Sequence, residues 1–283
     1  MNRSWKGITF SHLGENLKLI LRRVGYNAAM TKRSMTAAVL TAYLCILSSG
    51  DAAAQSPVRV LVSNGMKAAM EELQPQCERA IGHPLALQFS STAAIKKTIE
   101  AGEGFDVAII TTEAIGDLIE KGKIDSRGGA GLCRSELGIG IRAGAAKSDI
   151  RTVEALKKAL LDAKSITYPQ DGASRGYIEK MFERLGIAAA LKPKIILAPG
   201  SGPATESVAA GKAAFVITLF SEIVPIHGVE ILGPLPGDLH YAINFDAGLS
   251  VAPKNPEAAK ALIAFLAGPK VKTSFQAKGL DLR

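Results

Sequence analysis

Five short stretches carry hydroxyls and glycines where a strand-like run gives way to a helix-like one. They are Ser63-Asn64-Gly65, Ser90-Ser91-Thr92, Thr111-Thr112-Glu113, Asp171-Gly172-Ala173-Ser174-Arg175 and Gly200-Ser201-Gly202. Such turns suit an anion. The first amide groups of a helix lack partners within it, and the macrodipole adds a partial charge of about +0.5 there. Serine and threonine hydroxyls supply further donors without a fixed charge. Taken singly, each turn is as readily a helix cap, because Ser, Thr and Asn are common N-cap residues. Their recurrence changes the balance. In an open parallel sheet, ligands bind beyond the carboxyl ends of the strands, and all five turns fall at such ends.

Other chemistry finds less support. Gly172-Ala173-Ser174-Arg175-Gly176 matches G-x-S-x-G, the nucleophile elbow of serine hydrolases, with Ser174 as the nucleophile. That alternative needs an acid and a histidine later in the chain. Only His227 and His240 follow, and Asp238 stands two residues from His240, an awkward offset for separate triad loops. The four histidines show no ligand spacing, and Cys77 and Cys133 form no C-x-x-C pair. No Walker motif occurs, and no G-x-G-x-x-G follows a strand. The expectation is a binding protein without turnover, with no cofactor and no metal.

The elements that must position these turns alternate along the chain. VRVLVSN (58–64), LALQFSS (85–91) and FDVAII (105–110) read as buried strands. Between them run helical periods, the first interrupted by Pro75, which predicts a kink or a split. LGIGIRAG (137–144), SITYPQ (165–170), KIILAP (194–199), AFVITLF (214–220), VEILGPL (229–235) and GLSVAP (248–253) continue the strands, with helices over 153–164, 173–187 and 204–212. Asn255-Pro256 opens a final helix with a cap and a proline at its first position. A βαβ rhythm predicts an α/β fold with mainly parallel sheets covered on both faces.

The net charge of +8 invites a nucleic-acid reading, but the first 54 residues hold seven basic and two acidic side chains. The remainder is near neutral, and aromatics at 5% leave little to stack bases on, so no nucleic-acid partner is expected. Lys32-Arg33, the apolar run Met35–Leu47 and the small residues Ala52 and Ala54 form a secretory pattern with cleavage after Ala54. Residues 1–29 fit no such pattern, and Met30 stands as an alternative start. The expected compartment is the periplasm. There Cys77 and Cys133 either pair or stay as buried thiols.

VLVSNGMKAAMEEL, FSSTAAIKKTIEAGEGFDVAI, GASRGYIEKMFERLGI and SVAAGKAAFVITLFSEI occur in this order. Over residues 58–283 the chain thereby resembles the molybdate-type periplasmic binding proteins, the substrate-binding subunits of ABC importers. The resemblance implies two α/β lobes joined by two crossing strands, with the ligand closed between them. Lobe one would be 55–134 plus 241–283, and lobe two 135–240, after an N-terminal extension and signal peptide over 1–54. It implies a small anionic ligand, an ABC transporter permease as partner, and a monomer. Carried over residue by residue, Ser63, beside Asn64 and Gly65, matches the first anion-binding turn. Ser91, between Ser90 and Thr92, matches the second. Ala173-Ser174-Arg175 matches a lobe-two turn whose amides meet the ligand. Leu219 falls where molybdate binders place a tyrosine, and Thr92 stands where glycine is common. These departures leave two ligand classes open, an oxyanion such as molybdate and an organic carboxylate. Arg175 would pair with a carboxylate in the second case, or else serves an ion pair between elements.

Overall fold

The computed structural model describes residues 56–282. The secretory pattern and Cys45 lie outside the described residues. Among these, ten strands and ten α-helices alternate. The strands are β1 (Val58–Ser63), β2 (Leu85–Ser90), β3 (Val107–Thr111), β4 (Ala130–Arg142), β5 (Ile166–Pro169), β6 (Ile195–Ala198), β7 (Phe215–Leu219), β8 (Val229–Pro234), β9 (Ala242–Leu249) and β10 (Asp281–Leu282). The helices are α1 (Lys67–Ile81), α2 (Thr92–Glu100), α3 (Thr112–Glu120), α4 (Val153–Asp162) and α5 (Arg175–Arg184), followed by α6 (Ala188–Leu191), α7 (Ser201–Ala209), α8 (Phe220–Ile223), α9 (Pro256–Leu266) and α10 (Lys272–Ala277).

The sheet is mixed and follows the order β2-β1-β3-β9-β4-β7-β5-β6, with β8 and β10 also paired to β4. Parallel pairs occupy its two ends: β1 with β2 and β3, and β5 with β6 and β7. Between them run β9 and β4, both antiparallel to their neighbours. β4 pairs with β9 over Ala130–Glu136 and with β7 over Leu137–Ile141. One strand thus belongs to both ends of the sheet.

Period-two alternation explains how helices come to cover both faces. Val58, Val60 and Val62 of β1 pack with Met70, Leu73 and Cys77 of α1 and with Leu262 and Ile263 of α9. Leu61 points the other way, into a cluster with Ile95 and Ile99 of α2 and Leu118 of α3. β3 divides likewise, Val107 and Ile109 to one face and Ala108 and Ile110 to the other. At the far end, Phe215, Ile217 and Leu219 of β7 share a core with α4 and α5, while Val216 meets Ala204 and Val208 of α7 and Ile223 of α8. Asp106, buried before β3, accepts from the amides of Arg59, Lys254 and Asn255 at 2.8, 2.6 and 3.0 Å, which fastens β1 to the start of α9.

Several elements differ from their sequence expectation. Pro75 does not split the helix, since α1 runs unbroken through it. Pro75 lies on the exposed face, where the carbonyl that loses its partner meets water. β4 begins at Ala130, seven residues before the apolar run that announces it, because Ala130–Glu136 is held by pairing with β9. β9 ends at Leu249 instead of starting near it. α7 begins at Ser201, three residues earlier than its periodicity suggests. Cys77 and Cys133 are buried thiols. Cys133 donates to the Met66 sulfur at 3.4 Å, and burial pushes the Cys77 thiol up to about 12.

Gly138 marks the tightest approach in the shared strand. A Cβ there would lie 2.5 Å from the Gly233 carbonyl oxygen and 2.3 Å from the Phe220 ring. The backbone neighbour cannot yield without breaking the β4–β8 pairing. Gly138→Ala is expected to cost about 1–3 kcal/mol, read as a lower denaturant midpoint with an unchanged slope.

Candidate functional site

The carboxyl ends of β1, β2, β5 and β7 and the helices that follow them converge on one cavity. From the β1 turn come Ser63, Asn64 and Gly65, and from the β2 turn Ser91 and Thr92. The β5 turn supplies Asp171, Gly172, Ala173 and Ser174, and the end of β7 supplies Leu219. Five α-helices, α1, α2, α5, α7 and α8, start at or just beyond this lining. The cavity's free volume is about 20 Å3, room for one compact group. Larger cavities open on either side. One of about 430 Å3 shares Asn64, Ser201 and Glu222 with the centre. Another of about 370 Å3 shares Thr92, Asp171, Gly172 and Ala173.

The hydroxyls are arranged as donors. Ser91 caps α2 by accepting from the Ala94 amide at 3.2 Å. That bond uses a lone pair and leaves the hydroxyl proton for another acceptor. Thr92 donates to Ser63 Oγ at 3.1 Å, so the Ser63 proton is likewise directed elsewhere. Ser63, Ser91 and Ser174 are all buried. Ser174 precedes α5 without making a side-chain cap. Among the described residues, no Lys, Arg or His lines the central cavity. A guest there meets hydroxyls, helix amides and an apolar wall of Leu219 and Phe245.

Two candidate residues do not line it. Ser90 ends β2 beside Ser63, one residue from Ser91 and therefore turned to the other side of the strand. Arg175 is bound elsewhere: its Nε donates to Glu179 at 2.9 Å, one turn along α5, and its Nη1 to the Gln170 carbonyl at 2.6 Å. It fixes the turn between β5 and α5. Ser174 has no histidine beside it in the cavity, and His240 faces Glu136 at 3.0 Å. The G-x-S-x-G match therefore marks a helix start and assembles no triad, which corrects the hydrolase alternative.

The sequence reading missed Glu222 and Phe245 as lining groups, whereas Asp171 lines the cavity from a turn it had named. Glu222, on the short helix α8, accepts from the Thr218 and Ser201 hydroxyls and from the Leu219 backbone. Desolvation nevertheless holds its carboxyl above the usual range, and the nearby Asp171 charge adds to this. Folding thus shifts Glu222 toward its neutral form. Its contribution to stability is full below the ordinary carboxylate pKa and is lost as pH rises through the raised value. Ser221, next to it, buries its Oγ without a hydrogen-bond partner on the wall of the 430 Å3 cavity.

Gly65 admits Phe245 to the centre. A Cβ on Gly65 would lie 2.5 Å from the Phe245 ring and 3.2 Å from Leu219 Cδ1. Gly65→Ala is expected to displace that ring and to cost about 1–3 kcal/mol of stability, measured by urea unfolding.

Comparisons with known proteins bear on the family and the fold. A family model described as bacterial extracellular solute-binding protein matches residues 58–281. The chain is 27% identical to an aconitate isomerase of a Pseudomonas species over 244 residues, covering 83% of this chain and 92% of that one. It is 26% identical to the molybdate-binding protein ModA of Azotobacter vinelandii over 238 residues, 82% of this chain and 92% of the relative. The solved periplasmic molybdate-binding protein of Azotobacter vinelandii superposes with a TM-score of 0.67 at 18% identity, covering 80% and 99% of the two chains. That likeness is one of fold. The chain, matched from the first strand to the last by the family model, belongs to the bacterial extracellular solute-binding proteins.

Proposed function

We propose that this protein captures a small anion in the central cavity, after export to the periplasm, and delivers it to the permease of an ABC importer. The observation that carries the reading is the convergence of Ser63, Ser91 and Ser174 with helix N-termini on one buried space that, among the described residues, holds no cationic side chain. Neutral donors hold a desolvated anion when all of them point inward and water is excluded. The molybdate-binding relatives support the ligand's charge.

The lobes are assigned as residues 55–134 plus 241–283 and residues 135–240. In support, β4 changes partners from β9 to β7 between Glu136 and Leu137. Ligand entry is a swing of these lobes about β4 and β9. The small central volume is then that of the closed form. Ligand candidates are an oxyanion such as molybdate or an organic carboxylate, bound without turnover by a monomer. Ser63, Asn64, Gly65, Ser91, Thr92, Ala173, Ser174 and Leu219 form its immediate surroundings.

A thermal-shift series with molybdate, tungstate, sulfate, phosphate and tricarboxylates tests this. A true ligand at a hundredfold its Kd adds about 2.7 kcal/mol of stability. Ser91→Ala removes one hydrogen bond to a charged guest, a loss of about 1.5–3 kcal/mol, so its Kd rises roughly ten- to a hundredfold. A panel without a single shift would refute anion capture.

A second reading has turnover of a bound carboxylate, and the resemblance to an aconitate isomerase over most of both chains favours it. Incubation with cis-aconitate, followed by proton NMR, separates the two. Binding without turnover leaves the spectrum unchanged. Appearance of the trans isomer at a rate proportional to protein concentration establishes an enzyme.

A further inference from the structure

The charge lining the cleft is the reverse of what an anion site needs. Asp171 and Glu222 reach the central cavity, and no cation accompanies them. The 430 Å3 neighbour adds Glu71 and Glu206 against one cation, Lys67. Lys67 is already paired with Glu71 at 2.6 Å. An anion entering the centre therefore faces two carboxyl groups without a compensating positive charge.

The surroundings of Glu222 identify which of the two can relieve this. Around its short helix α8 pack β4, β7, β8, α7 and the turn Asn64–Met66. β7 contributes the Thr218 hydroxyl, and α7 contributes the Ser201 hydroxyl and Glu206. α1, which continues from that turn, contributes Lys67 and Glu71, and the β5–α5 turn contributes Asp171. β4 and β8 contribute no residue to the lining of either cavity. No cation is hydrogen-bonded to Glu222, whereas hydroxyls and a backbone group fix its position. Part of its surface remains open to the cleft. A neutral carboxylic acid held in this way has one O–H to give, and an anion in the central cavity is the acceptor within reach.

We propose that Glu222 is a specificity-determining residue that meets the bound anion as a neutral acid and donates to it, so that anion capture takes up a proton from solvent. This rests on the anion-capture reading above. Held by hydroxyls, amides and one carboxylic acid, the site is selective for anions that accept a hydrogen bond at that wall. Affinity falls as pH rises. The raised carboxyl pKa of the empty protein points the same way, since burial already penalises the charged form. In linkage terms, log Kd climbs with pH at a slope that approaches one, once pH exceeds the value at which empty Glu222 loses its proton.

The test uses the whole chain with sulfate, molybdate and cis-aconitate as probes, titrated calorimetrically from pH 5.5 to 8.5 in buffers of different ionisation enthalpy. Sulfate does not titrate in this range, so its pH dependence belongs to the protein. For whichever probe binds, the wild type is expected to take up close to one proton per anion at the upper end and to weaken by up to tenfold per pH unit. Glu222→Gln, the uncharged isostere, is expected to bind with an affinity independent of pH and without proton uptake, apart from any titration of the probe itself. A flat wild-type profile with no proton uptake overturns the proposal while leaving anion capture intact, and needs no variant. A Glu222→Gln protein that keeps the wild-type slope overturns it as well. Absence of binding by all three probes at every pH refutes anion capture, and the role of Glu222 with it.

Discussion

The molecule is organised by a constraint on strand direction. Parallel neighbours must end on the same edge, so β1, β2 and β3 deliver their last residues together, as do β5, β6 and β7. Each connection then returns over a face of the sheet as a helix that starts at that edge. Because β4 and β9 run antiparallel between the two groups, the two sets of strand ends open onto one space. Amide groups and capping hydroxyls collect there by geometry, before any side chain is chosen for a ligand.

What the side chains then add is restraint. The centre holds hydroxyls with committed lone pairs and undirected protons, a phenylalanine admitted by a glycine, and acids in place of bases. A fixed cation would bind many anions tightly and release them slowly. Dipoles aimed at a small closed space depend on shape instead, and they lose their grip once the space opens. Such a balance suits a carrier, whose cargo must leave as readily as it arrives.

Much of this was readable from residue type and order. Ser63 and Ser91 stand where a β-branched or apolar run meets a helical period, and both junctions are physical stops that the chain announces locally. Ser174 was placed by the same signal, although its motif also resembled a nucleophile elbow. Ser90 and Arg175 were legible only as neighbours, since the alternation of the strand and an i, i+4 pairing decide which way they turn. Glu222 and Phe245 gave no local signal. One sits on a helix of four residues and the other on a strand nearly two hundred residues beyond Gly65, and only the assembled sheet brings them together. The first half of β4 was hidden for a related reason: Arg134 and Glu136 interrupt its apolar pattern, and pairing with β9 supplies what local preference does not.

The sulfur atoms have a practical corollary. Cys77 and Cys133 show no surface to solvent, and the first gives up its proton only near the far end of the alkaline range. Maleimides and other reagents that attack thiolates find little to react with on the native fold. A cysteine placed on the rim of each end of the sheet would therefore accept a fluorophore or spin label selectively over these two buried thiols. The separation of the two labels would then report, in solution, whether the two ends of the sheet move relative to each other.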